Sequence, residues 1–515
     1  MFTPEGFSAR KIEKVMLLAL WANELNERLD TKDQKMIFAG LGKPTYPINQ
    51  RTVESYLNYW QRLNNLAAQW HSCPETAVEN PAINYGDPRG DKKPRTIMAE
   101  RMSQWYECDV RPEHVLFTVG GIGGLRAIFD TFNSHFQDLP GYRIITPFPH
   151  YSVYANDPMH QLHPIPVMNN PGYKLTAKSL QESIDLAYEL AEEDKGFPKA
   201  LLLCNPSNPL GNIIDEHELI QIADVLRNHP DLYIIFDEAY AEMSFKPMPS
   251  FLKIAPDLKQ RVIILRSATK ALSAAGERMA ILLVFDPEMM NELLNKNINY
   301  FIHVPRSAQI AYAETMASFD YQEQRKLSVY YEEKVAYVLN RLAEMGASMP
   351  DPCYKVEATF YALGDFSDLF GLPMPEEALQ VFQKISVVTT DEDITYYLLF
   401  NDAVMVAPLS YFGLEKDSGF MRITCSATKS ELEELMNRLE QRLIHARQIK
   451  KETLVKIISE QLSSLKAQDP HVHELITAKL TPHTSLSTNS KQLKVQLNAL
   501  GQIKAFVEDC IALMK

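Results

Sequence analysis

The sequence has no Cys-x-x-Cys pair: its six cysteines, at 73, 108, 204, 353, 425 and 510, stand apart and at no metal-ligand spacing. That excludes a disulfide framework and a metal centre built on cysteine, and it fits free thiols in a reducing cytoplasm. No apolar run approaches the roughly 20 residues of a membrane span, and the first residues lack the basic-then-apolar order of a signal peptide. A soluble cytoplasmic protein is the expectation. Positive charge is also short: 65 acidic residues against 52 Lys and Arg leave a net charge of −13. A nucleic acid or an anionic membrane is therefore not expected as a partner. There is no P-loop, spaced dinucleotide fingerprint, internal repeat or low-complexity tract. What is present is 515 residues, 46% of them hydrophobic, enough for large cores and for about three domains at roughly 150 residues each.

Along the first half, residues 8–29 have helical apolar spacing. Residues 36–44 read as a short strand broken by Gly42 and Pro44, serving either as an arm across an active-site mouth or as a simple turn. A turn-rich loop at 84–90 precedes a helix over 94–106. A strand at 115–119 then runs through Gly120-Gly-Ile-Gly-Gly-Leu125 into a helix. Glycines there let the backbone approach an anion, and the helix start supplies unpaired N–H groups. A close-packed turn without a ligand fits the same residues.

The strand at 142–146 exits into Pro147-Phe-Pro-His-Tyr-Ser-Val-Tyr154, either a stacking platform for a flat ligand or part of the core. Residues 200–204 and 232–236 are wholly apolar, as strands buried on both faces of a parallel sheet are. The first stops at Asn205-Pro-Ser-Asn-Pro-Leu-Gly211 and the second at Asp237-Glu-Ala-Tyr240. A carboxylate at the top of a buried strand costs several kcal/mol unless something positive meets it. The next strand, 261–265, leads into Arg266-Ser-Ala-Thr-Lys270, with Arg278 eight residues on. A lysine in an interior pocket loses its proton more readily than one in water and can attack a carbonyl. The alternation of strands and helices specifies an α/β domain with a mainly parallel sheet, whose ligands bind beyond the strands' carboxyl ends.

In the second half, a helix over 323–345 leads to strands at 358–363, 404–407 and 419–425. Ser430 and Glu433 fit a capping box, and helices follow at 448–465 and 492–514, separated by a polar linker at 481–490. These last helices suit packing on the protein's own core or on a partner helix. The expected division is 1–50 (N-terminal helix and arm), 51–322 (large domain), 323–445 (small domain) and 446–515 (helical extension).

Together, Asn205-Pro-Ser-Asn-Pro-Leu-Gly211, Asp237-Glu-Ala-Tyr240 and Ser267-Ala-Thr-Lys270 with Arg278 resemble the fold-type-I pyridoxal 5′-phosphate (PLP) enzymes. Within them the chain is similar to the class I/II aminotransferases, over about residues 35 to 445. The resemblance implies a large domain with a seven-stranded, mainly parallel sheet flanked by helices, and a smaller α+β domain; the extension has no counterpart. It implies that Lys270 forms a Schiff base with PLP and then acts as acid and base, and that Asp237 pairs with the pyridine nitrogen. Tyr240 and Asn208 would bond the ring's 3′ oxygen. Ser267, Arg278 and the amides of Gly121 and Ile122 would hold the phosphate, and Tyr85 would reach the phosphate of a second subunit in a homodimer with shared sites. Arg422 would grip the substrate α-carboxylate, and Gly42, Asn208 and the Phe360-Tyr361 pair would line the substrate pocket.

Phe148 is preferred over Tyr151 as the aromatic on the ring. Gly120 and Ile122 stand where many relatives carry hydroxyl residues, so backbone supplies part of the phosphate contact. Residues 297–305 lack the arginine of dicarboxylate-specific relatives, with Lys296 and Arg306 as the substitutes at hand. The implied activity is transfer of an amino group between an L-amino acid and a 2-oxo acid, with no metal. The alternatives are a PLP lyase or β-decarboxylase of the aspartate 4-decarboxylase kind, and a non-catalytic binding or scaffold protein.

Overall fold

The computed structural model describes residues 14–29, 35–76, 79, 81–155, 159–381, 386–466, 469–485 and 487–513. Of the sequence readings, residues 8–13 of the opening helix, Leu486 of the linker and Met514 of the last helix lie outside this set. The described residues fall into two compact units: Gly42–Glu333 with Asp351–Tyr361, and those through Leu41 with Lys334–Pro350 and from Ala362 on.

The first strand, β1 (Ile37–Phe38), belongs to the smaller unit; the next seven form the sheet of the larger one. They are β2 (Val115–Val119), β3 (Tyr142–Pro147), β4 (His160–Ile165), β5 (Pro198–Cys204), β6 (Tyr233–Asp237), β7 (Val262–Ser267) and β8 (Met279–Val284), in the order β2-β8-β7-β6-β5-β3-β4. From β4 to β7 every neighbouring pair is parallel, whereas β8 runs antiparallel to both β7 and β2. The sheet is thus mainly parallel, as expected; residues 268–278 between β7 and β8 are too few for a parallel crossover, which takes a dozen or more, so that pair is antiparallel. That short reversal carries Lys270.

The sheet's core is aliphatic: Ile144, Leu202, Ile235, Ile263 and Leu282 lie under Leu125, Ile128, Phe129 and Phe132 of the helix Gly120–His135. Each such side chain contributes roughly 1.5–3 kcal/mol on burial. Gly124 permits the close approach, since a Cβ there would lie 3.1 Å from Leu282 and 3.2 Å from Leu265. The long region after β8 folds into two helices, Pro287–Phe301 and Arg306–Ser318.

In the smaller unit β1 pairs in parallel with β10 (Val404–Met405), and β11 (Ala407–Pro408), β12 (Phe420–Thr424) and β9 (Tyr361–Asp365) form a three-stranded sheet. The strand expected at 358–363 begins later because Thr359 turns the chain with φ +72°. The capping box is Thr428 with Glu431 rather than Ser430 with Glu433: Glu431 N donates to Thr428 Oγ1 (3.3 Å) and Thr428 N to Glu431 Oε2 (2.9 Å). That helix, Lys429–Lys466, contains neither Gly nor Pro and runs unbroken through the helix start expected at 448. A further helix, Pro470–Leu480, follows, started by Asp469, whose side chain accepts from the amides of His471 and Val472. With Ser490–Leu513 it encloses a small core of Ile458, Leu462, Ile476, Leu480, Leu500 and Val507.

Asp391 starts the helix Asp391–Asp402 fully buried, accepting from Ser410 N at 2.8 Å. Burial outweighs these hydrogen bonds and pushes its carboxyl from an ordinary 3.8 up to about 6. The folded chain therefore holds a proton that the unfolded chain has released, so this contribution is complete below about pH 4 and is lost as pH rises through about 6. Asp391→Asn removes the dependence. Its stability over the parent protein is expected to grow by about 2–3 kcal/mol between about pH 4 and about pH 7, read from thermal unfolding across that range.

Candidate active site

Three strand ends of the larger unit bring the site together. Asp237 closes β6, opposite Cys204 of β5 and Leu265 of β7. Its carboxylate is almost wholly buried and accepts from the Tyr154 hydroxyl (2.7 Å) and the Ala239 amide (3.2 Å). Burial outweighs both bonds and raises its pKa above the ordinary range. A buried acid held by neutral donors is electrostatically ready for a cation.

Lys270 lies one turn past β7, in the short helix Ala268–Ala271, which Ser267 caps by accepting from Thr269 N. Its Nζ donates to the Gly42 carbonyl. A Cβ on Gly42 would stand 2.2 Å from the Tyr361 hydroxyl and 3.5 Å from Lys270 Nζ, so a side chain at 42 would displace the Tyr361 hydroxyl and crowd against the lysine amine. The Tyr361 hydroxyl shares a 2.9 Å hydrogen bond with that of Tyr240, which accepts from Asn208 Nδ2 at 3.4 Å. Burial and the Tyr361 hydroxyl keep the Tyr240 phenol protonated well above its usual range. Residues 208, 240 and 361, far apart in sequence, thus form one hydrogen-bonded chain, with Gly42 and Lys270 beside it.

A second cluster lies at the start of the Gly120–His135 helix. Gly120, at φ +67°, donates its N–H to the Arg278 carbonyl (2.8 Å), and a Cβ there would lie 2.5 Å from Arg278 Nη2. A Cβ on Gly121 would lie 4.0 Å from that of Ser267. Gly120, Gly121, Ser267 and Arg278 therefore lie together, with the Arg278 guanidinium packed where a side chain at 120 would have to go. Ile122 follows in the same turn with its side chain half exposed.

Other expected residues lie elsewhere. Tyr85 is 80% exposed, its ring edge-on to His303. Phe148 packs edge-on against His150 at 4.6 Å. It is Tyr151 that packs with Cys204 and Ala239 against the sheet core, lies 5.5 Å from the Tyr154 ring and acts electrostatically on Tyr240. Tyr151 thus lies near Tyr240, whereas the turn after β3 packs Phe148, the residue preferred for the ring, on His150. Arg422, on β12 in the smaller unit, is buried, donates to the Gly40 carbonyl (2.6 Å) and stacks on Phe412 at 4.5 Å. The two substitute cations are engaged: Lys296 donates to Ser134 Oγ (2.6 Å) and Arg306 Nε meets Asp91 Oδ2 (2.7 Å).

Sequence reasoning missed the support beneath the site. Arg266, fully buried, pairs with Glu242, lies 3.5 Å from Glu238, donates to the Tyr106 hydroxyl (2.9 Å) and stacks on Trp105 at 4.4 Å. Burial, partly offset by Arg266, pushes the Glu238 carboxyl up to about 7. This network ties the strand leading to Lys270 to the Asp237–Tyr240 turn. Its sequence signal was Glu238 and Glu242 just after Asp237 and the arginine beside Ser267.

Residues 55–439 match the family model described as aminotransferase class I and II. The chain belongs to that family. A Rickettsia felis protein named "Probable aspartate/prephenate aminotransferase" is 26% identical over 384 residues, spanning 71% of this chain and 83% of its own length. An aspartate aminotransferase of Pyrococcus horikoshii is 23% identical over 424 residues, 82% of this chain and 93% of its own. The solved structure of a Thermus thermophilus aspartate aminotransferase double mutant superposes with a TM-score of 0.65 at 18% identity, covering 84% of this chain and 98% of that one. The protein is thus an aminotransferase enzyme of the PLP-dependent fold-type-I kind, and its mainly parallel sheet flanked by helices is the family's fold. Among the described residues, no helix is long and apolar enough to cross a membrane.

Proposed function

We propose that this aminotransferase binds pyridoxal 5′-phosphate at the carboxyl edge of the seven-stranded sheet and moves an amino group from an L-amino acid to a 2-oxo acid. The observation that supports this most is the buried Asp237 carboxylate, held by neutral donors one strand away from Lys270. The residues present fit the group. The Arg278 guanidinium packs directly against Gly120 at the helix start, which suits a phosphate there, and the raised acid of Asp237 suits a protonated ring nitrogen. When bound, the cofactor supplies an aldehyde that takes up amines and a ring that withdraws electrons from the carbon bearing the amine.

The chain's own residues do the rest. Lys270 Nζ would hold the cofactor's aldehyde carbon and would act as the base for the proton on the substrate's α-carbon. Tyr240 and Asn208 donate to the ring's oxygen, and Tyr151 covers one ring face. Ser267, Arg278 and the amides of Gly121 and Ile122 hold the phosphate, with Arg278 able to use two parallel bonds. Arg422 offers a fork to the substrate's α-carboxylate, and Gly42 and Tyr361 border its side chain. The proposed organisation is a homodimer in the cytoplasm, in which the exposed Tyr85 reaches a partner's phosphate. Residues 51–322 would carry the cofactor, 323–445 the carboxylate grip, 1–50 the arm and 446–515 the extension. Although relatives are named for aspartate, a dicarboxylate preference is not proposed, since Lys296 and Arg306 are engaged elsewhere.

Asp237→Asn tests the reading. The amide preserves shape and keeps an acceptor for Tyr154, but removes the charge. Losing one partner of a buried ion pair costs about 3–5 kcal/mol, so kcat/KM is expected to fall by about 10²–10³-fold, with the fold intact by circular dichroism. A loss below about threefold would show that no cation meets this carboxylate.

A further inference from the structure

We propose that Glu357 is a positioning residue for the amino transfer: its carboxylate, caged by Lys174, Lys246 and the Ile213 amide, sets where the Tyr361 hydroxyl meets Tyr240, to which Asn208 also bonds. The inference rests on the aminotransferase reading above and extends it to a residue with no direct contact to the reacting groups.

Residues 351–361 belong to the larger unit although the chain on either side belongs to the smaller one. This segment ends in Tyr361, so whatever fastens it fixes the hydroxyl that bonds Tyr240. The fastening centres on Glu357. Oε1 accepts from Lys246 (2.6 Å) and Lys174 (3.2 Å), and Oε2 accepts from Ile213 N (3.0 Å) and lies 3.0 Å from Lys174. Asp215 closes the cage, 2.7 Å from each lysine. The Glu357 side chain is only 15% exposed, so this is not the screened surface pair that contributes little. The cage holds its carboxyl below the ordinary range although burial opposes this.

The backbone repeats the same attachment. The amides of Glu357 and Ala358 both donate to the Gly211 carbonyl, at 2.8 and 2.9 Å, and Phe245 N donates to the Glu357 carbonyl at 2.9 Å. Gly211, at φ +71°, leaves no room for a Cβ, which would lie 2.8 Å from Val356. Gly211 and Ile213 follow directly on the turn that carries Asn208. One carboxylate thus clamps the loop of Asn208 to the segment of Tyr361, four residues before the tyrosine. Thr359 then turns the chain, its Oγ1 accepting from Tyr361 N at 3.2 Å, and Phe360 wedges against Tyr331 at 5.2 Å. Position is transmitted through a short, doubly anchored span.

A double-mutant cycle separates this role from mere stabilisation. Glu357→Gln is expected to lower kcat/KM about tenfold. In a Tyr361→Phe background it should cause no further loss, because the hydroxyl it positions is gone. Equal losses in both backgrounds would overturn the proposal. Lys246→Met, which removes one arm of the cage, should show the same non-additivity if the glutamine variant folds poorly. Hydrogen exchange on the protein without cofactor gives a second readout: the Glu357 and Ala358 amides should exchange faster in Glu357→Gln, and unchanged protection there would also overturn it. Should the parent protein transfer no amino group from any donor, the aminotransferase reading fails instead, while the exchange result still decides the anchor.

Discussion

Lys270→Ala is expected to lower amino transfer by at least about 10⁴-fold, the upper end of what one positioned acid–base group contributes, without disturbing the fold. The variant removes an amine at the end of β7 and leaves the surrounding structure: Ser267 still caps the helical turn, and alanine is the best helix former at the vacated position. The hydrogen bonds that join Tyr361, Tyr240 and Asn208 are made by side chains the substitution leaves in place. Circular dichroism and melting temperature should therefore match the parent protein. Because the missing group is a primary amine acting on a proton, a small soluble amine should restore part of the rate, more so for the least bulky amines. A variant that retained a tenth of its activity would assign the proton transfer to another group.

Arg447→Ala is expected to cost about 3–5 kcal/mol of stability, the range for breaking a buried ion pair. Arg447 is fully buried in the Lys429–Lys466 helix and every arm of its guanidinium is used. Nε donates to Asp368 (2.7 Å), Nη1 to the Met345 and Ser490 carbonyls and the Ser490 hydroxyl, and Nη2 to the Gly346 carbonyl (3.1 Å). Against the opposing effect of burial, Arg447 and Lys494 hold the Asp368 carboxyl below its ordinary range, and the variant would keep Lys494, at 3.0 Å, but lose the guanidinium. Lysine should rescue poorly, since one ammonium cannot replace a planar fork. The loss should appear as a lower melting temperature and as faster proteolysis within Ser490–Leu513, the helix that Arg447 ties down through Ser490. A shift under about 1 kcal/mol would show that the tail is held by its own small core alone.

The tail shows what kind of information the chain carries openly. Its outer helices are legible from apolar spacing, but their continuity through 448 depends on the absence of any breaker between 429 and 466, a weaker signal than a cap. The strands β5, β6 and β7 are legible because each is an unbroken apolar run ending in polar residues. β4 is not, because two histidines and Pro164 interrupt it, and an edge strand tolerates them. In the site, Asn208, Asp237, Tyr240 and Lys270 sit in contiguous motifs, so the backbone alone brings each to a strand end. Their partners do not announce themselves. Tyr154 lies 83 residues from Asp237, Lys246 lies 111 from Glu357 and Tyr106 lies 160 from Arg266. Those pairings exist only once the sheet order is fixed, and the choice of Tyr151 over Phe148 depends in the same way on how one turn packs.

The most direct measurement is a half-reaction followed by mass spectrometry: the cofactor-loaded enzyme is mixed with one L-amino acid at a time, with no 2-oxo acid present. Amino transfer through Lys270 predicts one 2-oxo acid and one pyridoxamine 5′-phosphate per active site, and then arrest until a 2-oxo acid is added. Continued turnover without an acceptor, releasing carbon dioxide or a β-substituent while the cofactor stays as pyridoxal 5′-phosphate, would contradict it.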